Sequence, residues 1–168
     1  MPESIGTAEV SFIQVSPSDE RAAILLADLE REYDERYHDL LDEAAEEEIN
    51  RYPADRFLPP DGAFVLLLLD GEIAAGGAFM RFDDDTAEFK RIWTHPGHRR
   101  KGLSRRVLME LEAEAARRGY SRVFLTTGPR QPEAQALYAT SGYTVLDIIE
   151  VEPGFLVHPF EKALEPAA

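Results

Sequence analysis

Along the chain, the spacing of hydrophobic and polar positions changes several times, and each change marks a different element. Glu9 to Val15 alternates well enough to predict a first strand. Ser16-Pro17-Ser18-Asp19 then offers an N-cap, a proline at the first helical position and an acid in the first turn, so a helix is expected to begin there. Leu25, Leu26, Leu29, Tyr33, Tyr37, Leu40 and Leu41 recur every three to four residues, which carries an amphipathic helical region to about Leu41, with a break expected between Asp34 and His38. Glu43 to Tyr52 predicts a second short helix, and Pro53, Pro59 and Pro60 force a loop after it.

Strand-length apolar runs follow. Ala63 to Leu69 and Glu72 to Phe82 are joined by Asp70-Gly71, a dipeptide favoured in two-residue hairpin turns. Asp83 to Thr86 turns the chain into a third run, Ala87 to Thr94, and the three predict an antiparallel meander. A helix starting near Gly102 carries Leu103, Val107, Leu108, Leu111 and Ala115 on one face and stops at Gly119. Ser121 to Thr127 reads as a strand, Pro132 to Ser141 as a helix closed by Gly142, and Thr144 to Val151 and Phe155 to Ala163 as two final strands. The order is β-α-α-β-β-β-α-β-α-β-β, a mixed α/β fold with a mostly antiparallel sheet flanked by helices. The crossover from 87 to 127 is expected to set two strands parallel.

Length and composition narrow the class. A chain of 168 residues, 44% hydrophobic and 30% charged, fits a single globular domain spanning 1–168. It contains no cysteine, which excludes a thiolate nucleophile, disulfides and cysteine-ligated metal, and fits a reducing compartment. The longest apolar run, Ala63 to Leu69, is far short of the roughly 20 residues needed to cross a bilayer, and the N-terminus lacks a basic-then-apolar leader, so the expectation is cytoplasmic. The four histidines, His38, His95, His98 and His158, are too dispersed for a metal site.

With 18 basic and 32 acidic residues the net charge is -14, which repels nucleic acid and anionic membranes on average. Yet residues 89–109 contain no acid and seven of the eighteen basic side chains. Within that island, Arg99-Arg100-Lys101-Gly102-Leu103-Ser104 sits between a strand and the first turn of a helix. Free N–H groups, the positive end of the helix dipole and a glycine that permits close approach make such a position suited to a phosphate. Neither GxxxxGK[ST] nor GxGxxG is present, which disfavours a kinase or a dinucleotide-dependent dehydrogenase.

This six-residue segment resembles the Q/R-x-x-G-x-G/A motif of the GNAT superfamily of N-acetyltransferases, with Ser104 in place of the final Gly or Ala. Ala87 to Pro96 is similar to the family's fourth strand, and Leu125 to Tyr143 to its fifth strand and following helix. The resemblance covers roughly residues 63–164. The first sixty residues match only in outline, although Arg51-Tyr52-Pro53 and the segment from Phe57 to Phe64 are similar to one branch of poorly characterised bacterial members.

The resemblance implies acetyl-CoA as cosubstrate and no metal. It implies backbone contacts from Ile92, Trp93 and Thr94 to the pantetheine arm, and a diphosphate held by Arg99, Arg100, Lys101, Gly102, Leu103 and Ser104. Glu88 and Tyr138 fall where family members keep a carboxylate that takes the amine's proton and a tyrosine that protonates or hydrogen-bonds the departing thiolate. Deprotonating an alkylammonium of pKa about 10.4 at pH 7 costs roughly 4.6 kcal/mol, so a base or water chain has work to do. Residue by residue, simpler roles stay open: Glu88 as a strand carboxylate paired with Lys90 or Arg91, and Tyr138 as a core aromatic spaced from Ala134 and Leu137. Trp93 and Phe89 are expected in the core. The acidic run Glu43 to Glu48 is either a solvated helix face or an attractor for a cationic amine.

The function implied is transfer of acetyl from acetyl-CoA to a primary amine, in a small molecule or peptide, by direct attack in a ternary complex; a non-catalytic CoA-binding sensor is the alternative. No nucleic-acid or membrane partner is expected. The oligomeric state is open, homodimer included, since many relatives dimerise.

Overall fold

A computed structural model describes residues 3–5, 8–37, 39, 52–153 and 155–166. The expected helix at 43–52, but for Tyr52, the acidic run within it and His38 lie outside the described residues.

The strands are β1 (Glu3–Ile5), β2 (Ala8–Gln14), β3 (Ala63–Leu69), β4 (Glu72–Arg81), β5 (Thr86–Thr94), β6 (Arg122–Thr127), β7 (Thr144–Val145), β8 (Ile149–Glu152) and β9 (Phe155–Ala163). The helices are α1 (Ala23–Tyr37), α2 (Leu103–Arg117) and α3 (Pro132–Thr140). The sheet runs in the order β1-β2-β3-β4-β5-β6-β9-β7, with β8 paired to β9. All of these pairings are antiparallel except β5 with β6, which run parallel as the helical crossover between them requires.

Local chemistry explains the turns. Asp70 and Gly71 have φ of +52° and +82°, the left-handed pair that a tight hairpin demands. The Asp70 carboxylate also accepts from the Glu9 N–H at 2.9 Å, which ties the hairpin to β2. At the start of the first helical region, Asp19 rather than Ser16 takes the capping role. Its carboxylate accepts from the Arg21 N–H at 2.8 Å, and a short 3-10 turn over Glu20–Ala22 precedes α1.

Two apolar layers cover the sheet. Val65, Leu67, Phe79, Phe89 and Leu125 pack with Val107, Leu108 and Leu111 of α2. Phe64, Leu66, Ala78, Met80 and Trp93 pack with Leu25 of α1. Because β3 is buried on both faces, it reads as an unbroken apolar run.

A bulge in β5 departs from simple alternation. Ala78 faces Lys90 and Gly76 faces Trp93, so Gly77 alone opposes both Arg91 and Ile92, and Arg91 adopts φ +63°. The extra residue moves all later side chains to the opposite face. Trp93 consequently joins the α1 layer, whereas Phe89 four residues earlier belongs to the α2 layer. Ile92 and Leu111 close tightly over Gly77, where a Cβ would stand 2.8 Å from Ile92 Cδ1 and 2.9 Å from Leu111 Cδ1 and push those side-chain ends aside. β5 pairs with β6 only from Thr86 to Glu88, while β6 stays paired with β9 along its length. Beyond Glu88 the two strands part.

The expected strand from Thr144 to Val151 is divided into β7 and β8. Both pair with β9, but Pro159 lies between the two pairing segments and has no N–H to give. β1, only three residues long, adds a short hairpin with β2 that carries no periodic pattern of its own.

Candidate active site

The parting of β5 and β6 opens a groove of about 700 Å³, walled by the end of β5, the start of α2, α3 and one face of α1. Ile92, Trp93, Thr94, Arg99, Arg100, Gly102, Leu103 and Ser104 all line it. Lys101 does not; its Nζ lies 3.1 Å from His98 Nδ1 in the turn before α2.

The start of α2 is built for an anion. Arg100 and Gly102 take φ of +65° and +73°, which folds the backbone sharply into the helix. Among the described residues no side chain caps α2, and its first turn contains no acid, so its leading N–H groups and dipole face the groove beside Arg99 and Arg100. Ser104, where the motif has Gly or Ala, shares a 2.5 Å hydrogen bond with Thr94 Oγ1 and so fastens the helix start to the end of β5. Arg105 reaches from α2 to α3, donating to the Thr140 carbonyl at 3.1 Å and its hydroxyl at 2.9 Å.

A second cavity of about 150 Å³ lies where the strands separate, walled by Phe89, Lys90 and Arg91 of β5, Thr126 and Thr127 of β6, and Tyr33 and Tyr37 of α1. It shares Leu29, Glu32, Arg36, Ile92, Gln131, Ala134 and Tyr138 with the groove. Tyr138 thus stands at the junction of the two. It is 6% exposed, packs edge-on to Phe160 with ring centroids 5.4 Å apart, and burial pushes its phenol well above the ordinary range. Full proton donation is made harder than the sequence implied, while hydrogen bonding is not.

Glu88 occupies the last paired position of β5, next to Phe124 of β6. Its carboxylate lies 3.4 Å from Lys90 Nζ, and it lines neither cavity. Of the two residues expected to act in catalysis, the structure brings Tyr138 to the junction and leaves Glu88 outside it.

Several wall residues carried no signal in the sequence. Arg36 pairs with Glu32 at 2.8 Å on its own helix and with Glu133 of α3 at 2.5 Å. Arg36 and Arg130 each donate to the other's carbonyl, at 2.8 and 2.9 Å, and the Tyr37 hydroxyl donates to Gln131 Oε1 at 3.0 Å. These bonds strap the end of α1 to the loop entering α3. Burial works against the charged form of Glu133, but the Arg36 guanidinium outweighs it and holds the carboxyl below its usual range. Asp28 accepts from Trp93 Nε1 at 2.7 Å and from Arg31, which anchors the strand end where the backbone faces the groove. Burial again opposes ionisation of Asp28, and those two donors prevail, lowering its pKa. Only the Glu32–Arg36 spacing of four was visible in advance, and helical spacing alone does not say what a pair faces.

Among the described residues, no three His, Asp or Glu side chains converge as a metal site, and no helix is long and apolar enough to cross a membrane.

The family described as the acetyltransferase (GNAT) family matches residues 23–143 of this chain. The uncharacterized N-acetyltransferase YsnE of Bacillus subtilis is 30% identical over 111 residues, covering 65% of this chain and 74% of that protein. Escherichia coli YjgM, also an uncharacterized N-acetyltransferase, is 28% identical over 52% of this chain and 54% of its own length. Among solved structures, a putative acyl-CoA N-acyltransferase from Klebsiella pneumoniae superposes with a TM-score of 0.70 at 25% identity, covering 93% of this chain and 98% of that one. A GNAT family acetyltransferase from Elizabethkingia anophelis, solved with acetyl-CoA bound, shares the fold with a TM-score of 0.66 at 16% identity, covering 92% and 98%.

Proposed function

Because the chain belongs to the acetyltransferase (GNAT) family, we propose that it takes acetyl-CoA into the 700 Å³ groove and passes the acetyl group directly to a primary amine in a ternary complex. The observation that carries this reading is the uncapped, acid-free start of α2, with Arg99 and Arg100 beside it, at the edge of a groove that runs on to Tyr138. Each N–H or dipole contribution is worth about 0.3–1 kcal/mol when exposed, so several must converge with the guanidinium groups to hold a diphosphate.

The bound thioester supplies the acetyl group. The chain's residues hold and shield it. The backbone of Ile92, Trp93 and Thr94 runs beside the pantetheine arm, and the bulge at Arg91 withdraws β5 from β6 so that the arm can pass. The amine enters from the smaller cavity; its nitrogen bonds to the acetyl carbon, the carbon–sulfur bond breaks, and the nitrogen gives up a proton. With no cysteine in the chain, an acyl-thioenzyme route has no nucleophile. Tyr138, whose phenol burial keeps protonated, gives a hydrogen bond to the leaving sulfur. The amine's proton passes to water, since Glu88 pairs with Lys90 and lines neither cavity. An absence of cysteine also suits the cytoplasm, where we place the protein.

Calorimetry with acetyl-CoA and a thiol-release assay on a panel of amines test the reading together. Arg99→Ala with Arg100→Ala weakens acetyl-CoA binding, and by a larger factor at low salt than at high salt, where screening has already reduced the electrostatic share. Tyr138→Phe lowers kcat about tenfold to a hundredfold with the dissociation constant nearly unchanged. Binding without release of thiol from any amine would instead mark a coenzyme sensor, and an unchanged dissociation constant in the double variant would remove the diphosphate assignment.

A further inference from the structure

The smaller cavity is chemically lopsided, and its asymmetry points to what the acceptor carries besides its amine. At the junction with the groove stands Glu32, the one carboxylate among the described residues of the cavity wall, paired there with Arg36 at 2.8 Å. The far end, which the groove does not share, contains Lys90 and Arg91 and, among the described residues, no carboxylate. Lys90 lies over the Tyr52 ring at 4.7 Å and Arg91 over the Phe57 ring at 5.9 Å, while Glu88 steadies Lys90 from outside the cavity. Two cations lining one end of a small cavity are unusual in a chain of net charge -14.

Thr127 adds an independent observation. It is 6% exposed, lines the same far end, and its Oγ1 is buried with no hydrogen-bond partner among the described residues. Buried hydroxyls are normally satisfied, so one without a partner just behind a cavity wall is one that a ligand atom satisfies once the side chain turns toward it. Resting on the acetyl-transfer reading above, we propose that the acceptor is a small free amino acid. Its amine sits at the junction near Glu32, within reach of the thioester. Its carboxylate lies at the far end against Lys90, Arg91 and the Thr127 hydroxyl.

Size agrees with this. A cavity of about 150 Å³ accommodates a molecule of roughly benzene's bulk, which is that of a small amino acid. A polyamine would bring a second cation to an end that already has two. A peptide N-terminus has an amide where the carboxylate is needed.

The test uses matched trios: an amino acid, its carboxamide and its decarboxylated amine, for example L-alanine, L-alaninamide and ethylamine, and the L-serine and L-valine sets. With acetyl-CoA, kcat/KM for the amino acid should exceed that for both partners at least tenfold. In CoA-loaded protein, the amino acid but not the amine should raise the thermal midpoint, a readout that needs no turnover. Lys90→Gln and, separately, the near-isosteric Thr127→Val should each narrow the amino-acid preference, Lys90→Gln by about tenfold. Should Lys90→Gln fail to fold, Thr127→Val still reads the same end of the cavity. Amines or carboxamides acetylated as well as the amino acid, with acetyl-CoA binding intact, overturn this proposal and leave acetyl transfer standing. Acetyl-CoA bound without turnover, and with no midpoint shift from any amino acid, overturns the acceptor assignment too. No acetyl-CoA binding at all removes both readings.

Discussion

The surroundings of α2 and the seam between α1 and α3 face the same groove but are held together by different means. Around α2, apolar side chains interlock with both central strands, and Ile92 and Leu111 close over Gly77. At the seam, Arg36, Arg130, Tyr37 and Gln131 make polar bonds between residues 94 apart in sequence. Burial of an apolar side chain contributes about 1.5–3 kcal/mol, whereas a partly exposed ion pair contributes about 0–1 kcal/mol. The first region therefore fixes the shape of the groove. The second can vary in sequence at little expense in stability, which suits the wall that meets the acceptor.

The largest test of this contrast is Leu111→Ala. Leu111 is fully buried between α2 and the sheet, so its truncation should cost about 2–5 kcal/mol, read as a lower urea midpoint with an unchanged slope. A loss under about 1 kcal/mol would mean that the α2 layer is not the scaffold. Asp28→Ala comes next. It strands the buried Trp93 N–H, for about 1–3 kcal/mol, and loosens the strand end that faces the groove, so acetyl-CoA affinity should fall alongside stability. Full retention of affinity would confine Asp28 to packing.

The same division governs what the sequence made legible. The meander, the Asp70-Gly71 hairpin, α2 with its apolar face and the parallel crossover all follow from periodicity and turn chemistry, both local properties. The bulge does not. Nothing in Phe89-Lys90-Arg91-Ile92-Trp93 announces that one residue will be looped out, because the register is set against the neighbouring strand, where Gly77 alone opposes two residues. Nor does Pro159 announce that a run twelve residues upstream will divide in two. In the site, the residues around the helix start were visible as a basic island in an acidic chain. Glu32, Arg36, Gln131 and Thr127 were not, since a polar residue on a helix face or at a strand end looks alike whether it meets solvent or substrate. Glu88 shows the converse: a strand position of the right type that the fold pairs with Lys90 and leaves outside both cavities.

Arg36→Ala should reverse the balance seen with Leu111→Ala. Its side chain is 24% exposed and its partner Glu133 61%, so global stability should drop by no more than about 1 kcal/mol. The seam it holds borders both cavities, so KM for the acceptor should rise severalfold while kcat falls less. A large loss of stability with unchanged KM would make the seam part of the scaffold.

The smallest effect is one of pH. The lowered pKa of Asp28 means that its charged form is stabilised in the folded protein relative to the unfolded chain, whose carboxyl titrates near about 3.9. Its contribution is therefore complete above that value and fades as pH falls through the lower folded pKa. Asn in its place can still accept from Trp93 but has no charge to lose. The stability gap between the wild-type protein and Asp28→Asn should be flat from about pH 8 to pH 5 and narrow below about pH 4. A gap that widens on acidification would mean that burial, and not the Trp93 and Arg31 donors, controls the carboxyl, and the α1 side of the strand end would need another anchor.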